Sequence, residues 1–207
     1  RPPRSTLFPY TTLFRSASGD YVYTPANPDT HVWTTAGKAK SEYTYLLNQP
    51  ITLDENKTTG DLLTAVNSAM LIPQSLTSWD GSKGDNLAAI TGSYISILLQ
   101  VSKKNAAGTL EMVYPKDAQD DTQCGWAAVA IPAGDGWKYG NKYIYTLDLS
   151  KGAGKVDPVK PDPDGSGVVK PGVSGKDPDK GENILGKPIF FTVDVKPWTE
   201  NNPTINM

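Results

Sequence analysis

The stretch Ser93–Ser102, SYISILLQVS, sets Ile95, Ile97, Leu99 and Val101 on one face of an extended chain and Tyr94, Ser96, Leu98 and Gln100 on the other. Strict period two is what a half-buried β-strand requires, since successive side chains leave the backbone in opposite directions. Two further stretches repeat the pattern. In Asn141–Ser150 the aligned residues are Tyr143, Tyr145, Leu147 and Leu149. In Pro188–Lys196 they are Ile189, Phe191, Val193 and Val195, with Phe190, Thr192, Asp194 and Lys196 opposite. Weaker alternation marks His31–Thr35, Glu42–Leu47, Met70–Ile72, Thr109–Tyr114 and Gly125–Ile131. Asp61–Ala69 (DLLTAVNSA) alone accommodates a helix, with Leu62, Leu63 and Val66 as its apolar stripe.

With 19 Gly and 17 Pro in 207 residues, these short strands are punctuated by turns, an all-β composition. Sheets with one apolar face and no helical cover bury it against another sheet, so the expected fold class is an antiparallel β-sandwich. The stretch 151–186 differs in kind. It is rich in Gly, Pro, Asp and Lys, has little to bury, and is expected to form a long disordered loop before the last strand. A strand can still dock after such a tether, because loop closure costs only about 0.6 kcal/mol per doubling of length.

The chain opens with Arg1–Ser16, RPPRSTLFPYTTLFRS. Every residue matches the in-frame translation of a short-read sequencing adapter, so this segment is expected to be non-native and is left out of fold reasoning. The domain is then 17–207, with its natural start and any N-terminal domain lying upstream. Without Arg1, Arg4 and Arg15, Lys+Arg falls from 20 to 17 against 22 Asp+Glu, a formal charge of −5 in place of −2. An acidic chain with scattered lysines is no binder of phosphate backbones, so no nucleic-acid partner is expected. No apolar run approaches the roughly 20 residues that span a bilayer.

Chemistry-bearing motifs are sparse. Asp162-Pro163-Asp164-Gly165 begins like a calcium loop but lacks the later ligands, including the bidentate Glu. His31 has no HxH or HExxH partner, and Cys124, beside Gly125-Trp126, has no CxxC mate. A small buried residue is the expected state of Cys124. Gly165-Ser166-Gly167 is no nucleophile elbow, and Asp120-Asp121 reads as a solvated turn. The expectation is therefore no enzyme, with no catalytic, metal or cofactor-binding residue. Asn56-Lys57-Thr58 matches an N-glycosylation sequon, which matters only in a pathway that reads it. Trp33, Trp79, Trp126, Trp137 and Trp198 are expected mainly to fill or close the core rather than to stack on sugars.

Three patches, in order, carry a resemblance. Met70–Leu76 (MLIPQSL) contains Pro73 and Gln74. Val129–Pro132 is followed by Trp137–Leu149, WKYGNKYIYTLDL, with Trp137, Gly140, Tyr143 and Tyr145. Ile184–Trp198, ILGKPIFFTVDVKPW, ends on Trp198. From about Ser68 to Trp198 the chain resembles the fimbrillin family, the pilus and surface-adhesin lipoproteins of Bacteroides-like bacteria. The resemblance implies a transthyretin-like, Greek-key β-sandwich, here the C-terminal of two domains. It also implies export as a lipoprotein, outer-membrane location through a lipid anchor lost with the true start, and assembly with other fimbrial subunits by strand exchange. Ile189, Phe191, Val193 and Val195 are then the candidate donor or terminal strand, by β-augmentation. Asn201–Met207 leaves little extra chain as a separate donor, a departure that favours a tip or accessory subunit over a stalk subunit. The alternative expectation is a surface module that binds host or dietary glycans.

Overall fold

The computed structural model describes the backbone of 4–22 and 32–45 and, with side chains, residues 51–63, 71, 73–120, 123–150, 152–159, 175–186 and 189–197. Nine strands are present among these residues: β1 (Arg4–Val22), β2 (Val32–Tyr45), β3 (Ile51–Leu53), β4 (Tyr94–Lys104), β5 (Leu110–Tyr114), β6 (Gly125–Ala130), β7 (Asn141–Asp148), β8 (Lys155–Val156) and β9 (Phe190–Pro197). The helical content described is one 3-10 turn, Leu87–Ala89, capped by the Asn86 side chain accepting from the Ala89 N–H. The protein is all-β. One antiparallel sheet runs β2-β1-β4-β6-β8, with β3 beside β1 and β5 beside β4; β7 and β9 pair separately as an antiparallel ribbon.

The alternating face read in Ser93–Ser102 forms the main core. Ile95, Ile97, Leu99 and Val101 pack with Ala127, Val129 and Ile131, with Val156, and with Trp137 and Ile189. Tyr143, Tyr145, Leu147 and Phe191 of the β7–β9 ribbon lie against the same cluster. Burial of each such aliphatic side chain contributes about 1.5–3 kcal/mol.

The opposite face of β4 departs from the half-buried expectation, because it too is covered. Tyr94 packs with Trp79, Ile90 and Ala128, the Trp79 and Tyr94 rings 5.2 Å apart. Leu98 packs with Cys124 and Trp126. The polar residues on this face find partners. Gln100 Nε2 donates to the carbonyls of Asp120 and Gln123 at 2.8 and 2.9 Å, and Ser96 Oγ donates to Asp157 Oδ2. A buried polar group costs little only when so satisfied.

The expected long loop is corrected at both ends. Ala153, Val156 and Asp157 are buried, and β8 extends the main sheet beside β6. Val156 donates to Glu182 O and Gly181 to Val156 O, while Gly152 faces Gly186 and Lys155 faces Asn183 across antiparallel bridges. Two carboxylates hold this clasp to the body. Asp157 accepts from Ser96 Oγ and from the Val159 N–H, and Asp177, 6% exposed, accepts from the backbone N–H groups of Lys116 and Asp117 at 2.8 and 3.3 Å. The middle of the loop, 160–174, lies outside the described residues, and with it Asp162–Gly165 and Ser166.

The described parts of His31–Thr35 and Glu42–Leu47, Val32–Thr35 and Glu42–Tyr45, belong to one strand, β2, rather than two, with a register irregularity opposite Ala17/Gly19. The adapter-like stretch forms most of β1, where Arg4–Leu7 pair with Ser102–Leu99 and Thr12–Phe14 with Ile97–Ile95. The possible helix at Asp61–Ala69 lies mostly outside the described residues; Asp61, Leu62 and Leu63 are non-helical.

Candidate functional site: the Trp137 turn and the β7–β9 ribbon

The residues of the second patch begin with a turn that only glycine can make. Gly136 has φ +73°, and its N–H closes the turn on Ala133 O. A Cβ at Gly136 would stand 2.4 Å from Gln74 O, so the close approach also demands glycine. That approach lets Trp137 and Gln74 exchange both backbone hydrogen bonds, Trp137 N to Gln74 O at 2.8 Å and Gln74 N to Trp137 O at 2.9 Å. Residues from the first and second patches thus form one antiparallel bridge.

The Trp137 indole turns inward, 5% exposed, and Nε1 donates to Tyr145 Oη at 2.5 Å. Tyr143 Oη accepts from the Lys138 N–H at 2.7 Å. Gly140, at φ +70° in open space, reverses the chain into β7. The third patch then joins: β9 pairs with β7 so that Tyr143 faces Val195, Tyr145 faces Val193 and Leu147 faces Phe191, and the Tyr145 and Phe191 rings lie 5.1 Å apart. Burial pushes the Tyr145 hydroxyl above its usual range, a shift opposed by the hydrogen bond from Trp137 and reinforced by Tyr143.

Gln74, Trp137, Gly140, Tyr143 and Tyr145 therefore meet in one place. Pro73, half-buried, precedes the bridge, and Trp198 lies outside the described residues. Comparison with protein-family models, with curated proteins and with solved structures gives no match.

The candidate strand divides. Ile189 is buried and Phe191 half-buried, whereas Val193 and Val195 are 39% and 50% exposed and Phe190, on the other face, 60%. Here β9 pairs with β7 of its own chain.

Trp79, Trp126 and Trp137 are all buried and offer no flat face to a sugar; Tyr139, 73% exposed, is the aromatic ring most open to solvent among the described residues. Cys124 is a buried free thiol whose ionisation burial pushes well up, the state of an inert residue. Sequence reading missed Ser96, Asp157 and Asp177, because single polar residues among many carry no spacing signal. Gly136 carried a weak one, its place after Asp135 in a turn-forming pair.

Proposed function

We propose that this chain is a structural or adhesive subunit of a bacterial surface fimbria, its two packed layers forming a transthyretin-like β-sandwich and its assembly proceeding by β-strand donation. The observation that supports this reading is the convergence of the three patches: the Gln74–Trp137 bridge, the Trp137–Tyr145 hydrogen bond and the β7–β9 pairing join residues from across the chain. Such a frame suits a load-carrying module, since it ties a turn, a ribbon and the core by directional bonds as well as by apolar contact. Among the described residues here, Tyr143 and Tyr145 are engaged in holding the backbone and the indole.

Partners in this reading are other fimbrial subunits, and the location is the outer membrane or fimbrium. The rival, a glycan-binding lipoprotein module, draws no support from the buried tryptophans. The test is the reading frame upstream of Ala17 in an intact copy of the gene. An export signal with a lipid-attachment cysteine followed by another β domain is expected ahead of this segment; a cytosolic start would overturn the reading.

A further inference from the structure

The sequon Asn56-Lys57-Thr58 belongs to none of the three patches, and the structure sets it in the turn that follows β3. Asp54 makes that turn: its N–H donates to Lys57 O at 2.8 Å, and its Oδ1 accepts from the Asn56 and Lys57 N–H groups at 2.8 and 2.9 Å. From Glu55 to Gly60 every residue is exposed.

Other turns of this chain use their asparagine to hold the backbone. Asn86 Oδ1 accepts from the Ala89 N–H, and Asn105 Oδ1 accepts from the Ala107 and Thr109 N–H groups while its Nδ2 donates to Glu111. At 54–57 the Asp54 carboxylate takes this role, and among the described residues the Asn56 carboxamide and the Thr58 hydroxyl have no hydrogen-bond partner. An N-glycosylation acceptor presents both groups: the amide nitrogen is the atom glycosylated, and the transferase reads the hydroxyl two residues on, with any residue but proline between. Asn202 fails on that point, with Pro203 in the middle, and no other asparagine has Ser or Thr two residues later. The match here is also longer than the minimal one. Asp54 sets a carboxylate two residues before Asn56, the additional feature that bacterial oligosaccharyltransferases read by pairing it with a cationic side chain. Those enzymes modify exported chains that have already folded, so their acceptor must lie on a surface turn that opens locally, as this exposed turn can.

We infer that Asn56 is an acceptor for N-linked glycosylation by an oligosaccharyltransferase of the bacterial, carboxylate-reading type. The co-substrate is a lipid-pyrophosphoryl glycan. Asn56 Nδ2 attacks C1 of its first sugar: the C1–N bond forms as the C1–O bond to pyrophosphate breaks, the lipid pyrophosphate leaves, and the amide nitrogen gives up one proton to the enzyme. The reaction takes place outside the cytosol, so the inference shares export with the fimbrial reading and nothing else.

The test is the intact mass of the full chain, given an export signal and recovered folded from the periplasm of bacteria that make such an enzyme and its lipid-linked glycan. The wild type is expected to gain the mass of one glycan. Asn56→Gln and Thr58→Ala should lose it, Thr58→Ser should keep it, and Asp54→Ala should lose most of it. Loosening the turn alone would raise occupancy, so the loss in Asp54→Ala reads the carboxylate. An unmodified wild type, a glycan that survives Asn56→Gln, or occupancy unchanged in Asp54→Ala would overturn the inference. Because the export signal is supplied, each of these outcomes leaves the fimbrial reading standing.

Discussion

The Trp137 indole donates to Tyr145 Oη at 2.5 Å from within the core, linking the turn that bridges Gln74 to the strand that carries the ribbon. The two residues are eight apart in sequence, and the reversal at Gly140 is what brings them together. Trp137→Phe and Tyr145→Phe should each cost about 1 kcal/mol beyond any lost packing, because each strands a half-buried polar partner. A double-mutant cycle in urea should return a positive coupling energy; strict additivity would mean that the contact carries no energy of its own.

Gly136 and Gly140 provide a matched pair. Both lie at positive φ, but a Cβ at Gly136 meets the Gln74 carbonyl and one at Gly140 meets nothing within 4 Å. Gly140→Ala should therefore lose about 1 kcal/mol from backbone strain. Gly136→Ala should lose considerably more and disrupt the Gln74 bridge. Equal midpoints for the two variants in chemical denaturation would contradict the close approach.

Asp157 and Asp177 clamp the ends of the loop, and removal of either should loosen it locally before the core responds. Asp157→Ala leaves the buried Ser96 hydroxyl and the Val159 N–H without their acceptor, a loss of about 1–3 kcal/mol. Hydrogen exchange should show Gly152–Asp157 and Asp177–Gly186 losing protection together, since they share the bonds between Val156, Gly181 and Glu182.

Alkaline pH should unfold the protein through Tyr114. This phenol is fully buried, donates to Trp126 O at 2.8 Å and lies over Gly125, where a Cβ would collide with its ring at 2.6 Å. Burial first, then the charges of Asp177 and Asp157, hold its ionisation well above the ordinary value near 10. The folded state thus keeps a proton that the unfolded state sheds. Stability from this group is complete below about pH 10 and falls as pH rises through the elevated folded value. Tyr114→Phe should flatten the alkaline limb of a stability-against-pH curve while costing about 1 kcal/mol at neutral pH.

The strands with the cleanest alternation were legible in sequence, and β4, β7 and β9 fall within two residues of the expected bounds. Burial was less legible. Ser96 and Gln100 mark the second face of β4 as polar, yet both are buried, because their partners Asp157, Asp120 and Gln123 come from distant turns that no local pattern reveals. Val193 and Val195 show the opposite failure. Their alternation is that of a buried face, but only Ile189, buried, and Phe191, half-buried, reach the core. The clasp was hidden by composition, since Gly, Pro, Asp and Lys suggest solvent, and Val156 and Asp157 enter the interior only because β8 pairs with β6. At the Trp137 site the resemblance supplied the residues and the geometry their relation. Gly136 is what permits the bridge, and the tyrosine hydroxyls hold the turn in place.

The central claim is tested most directly by immunogold electron microscopy of intact cells that carry the complete gene, with an antibody raised against this chain. Gold in rows along surface filaments is the result expected of a fimbrial subunit. Label confined to the cytosol, or to a smooth envelope without filaments, would contradict it.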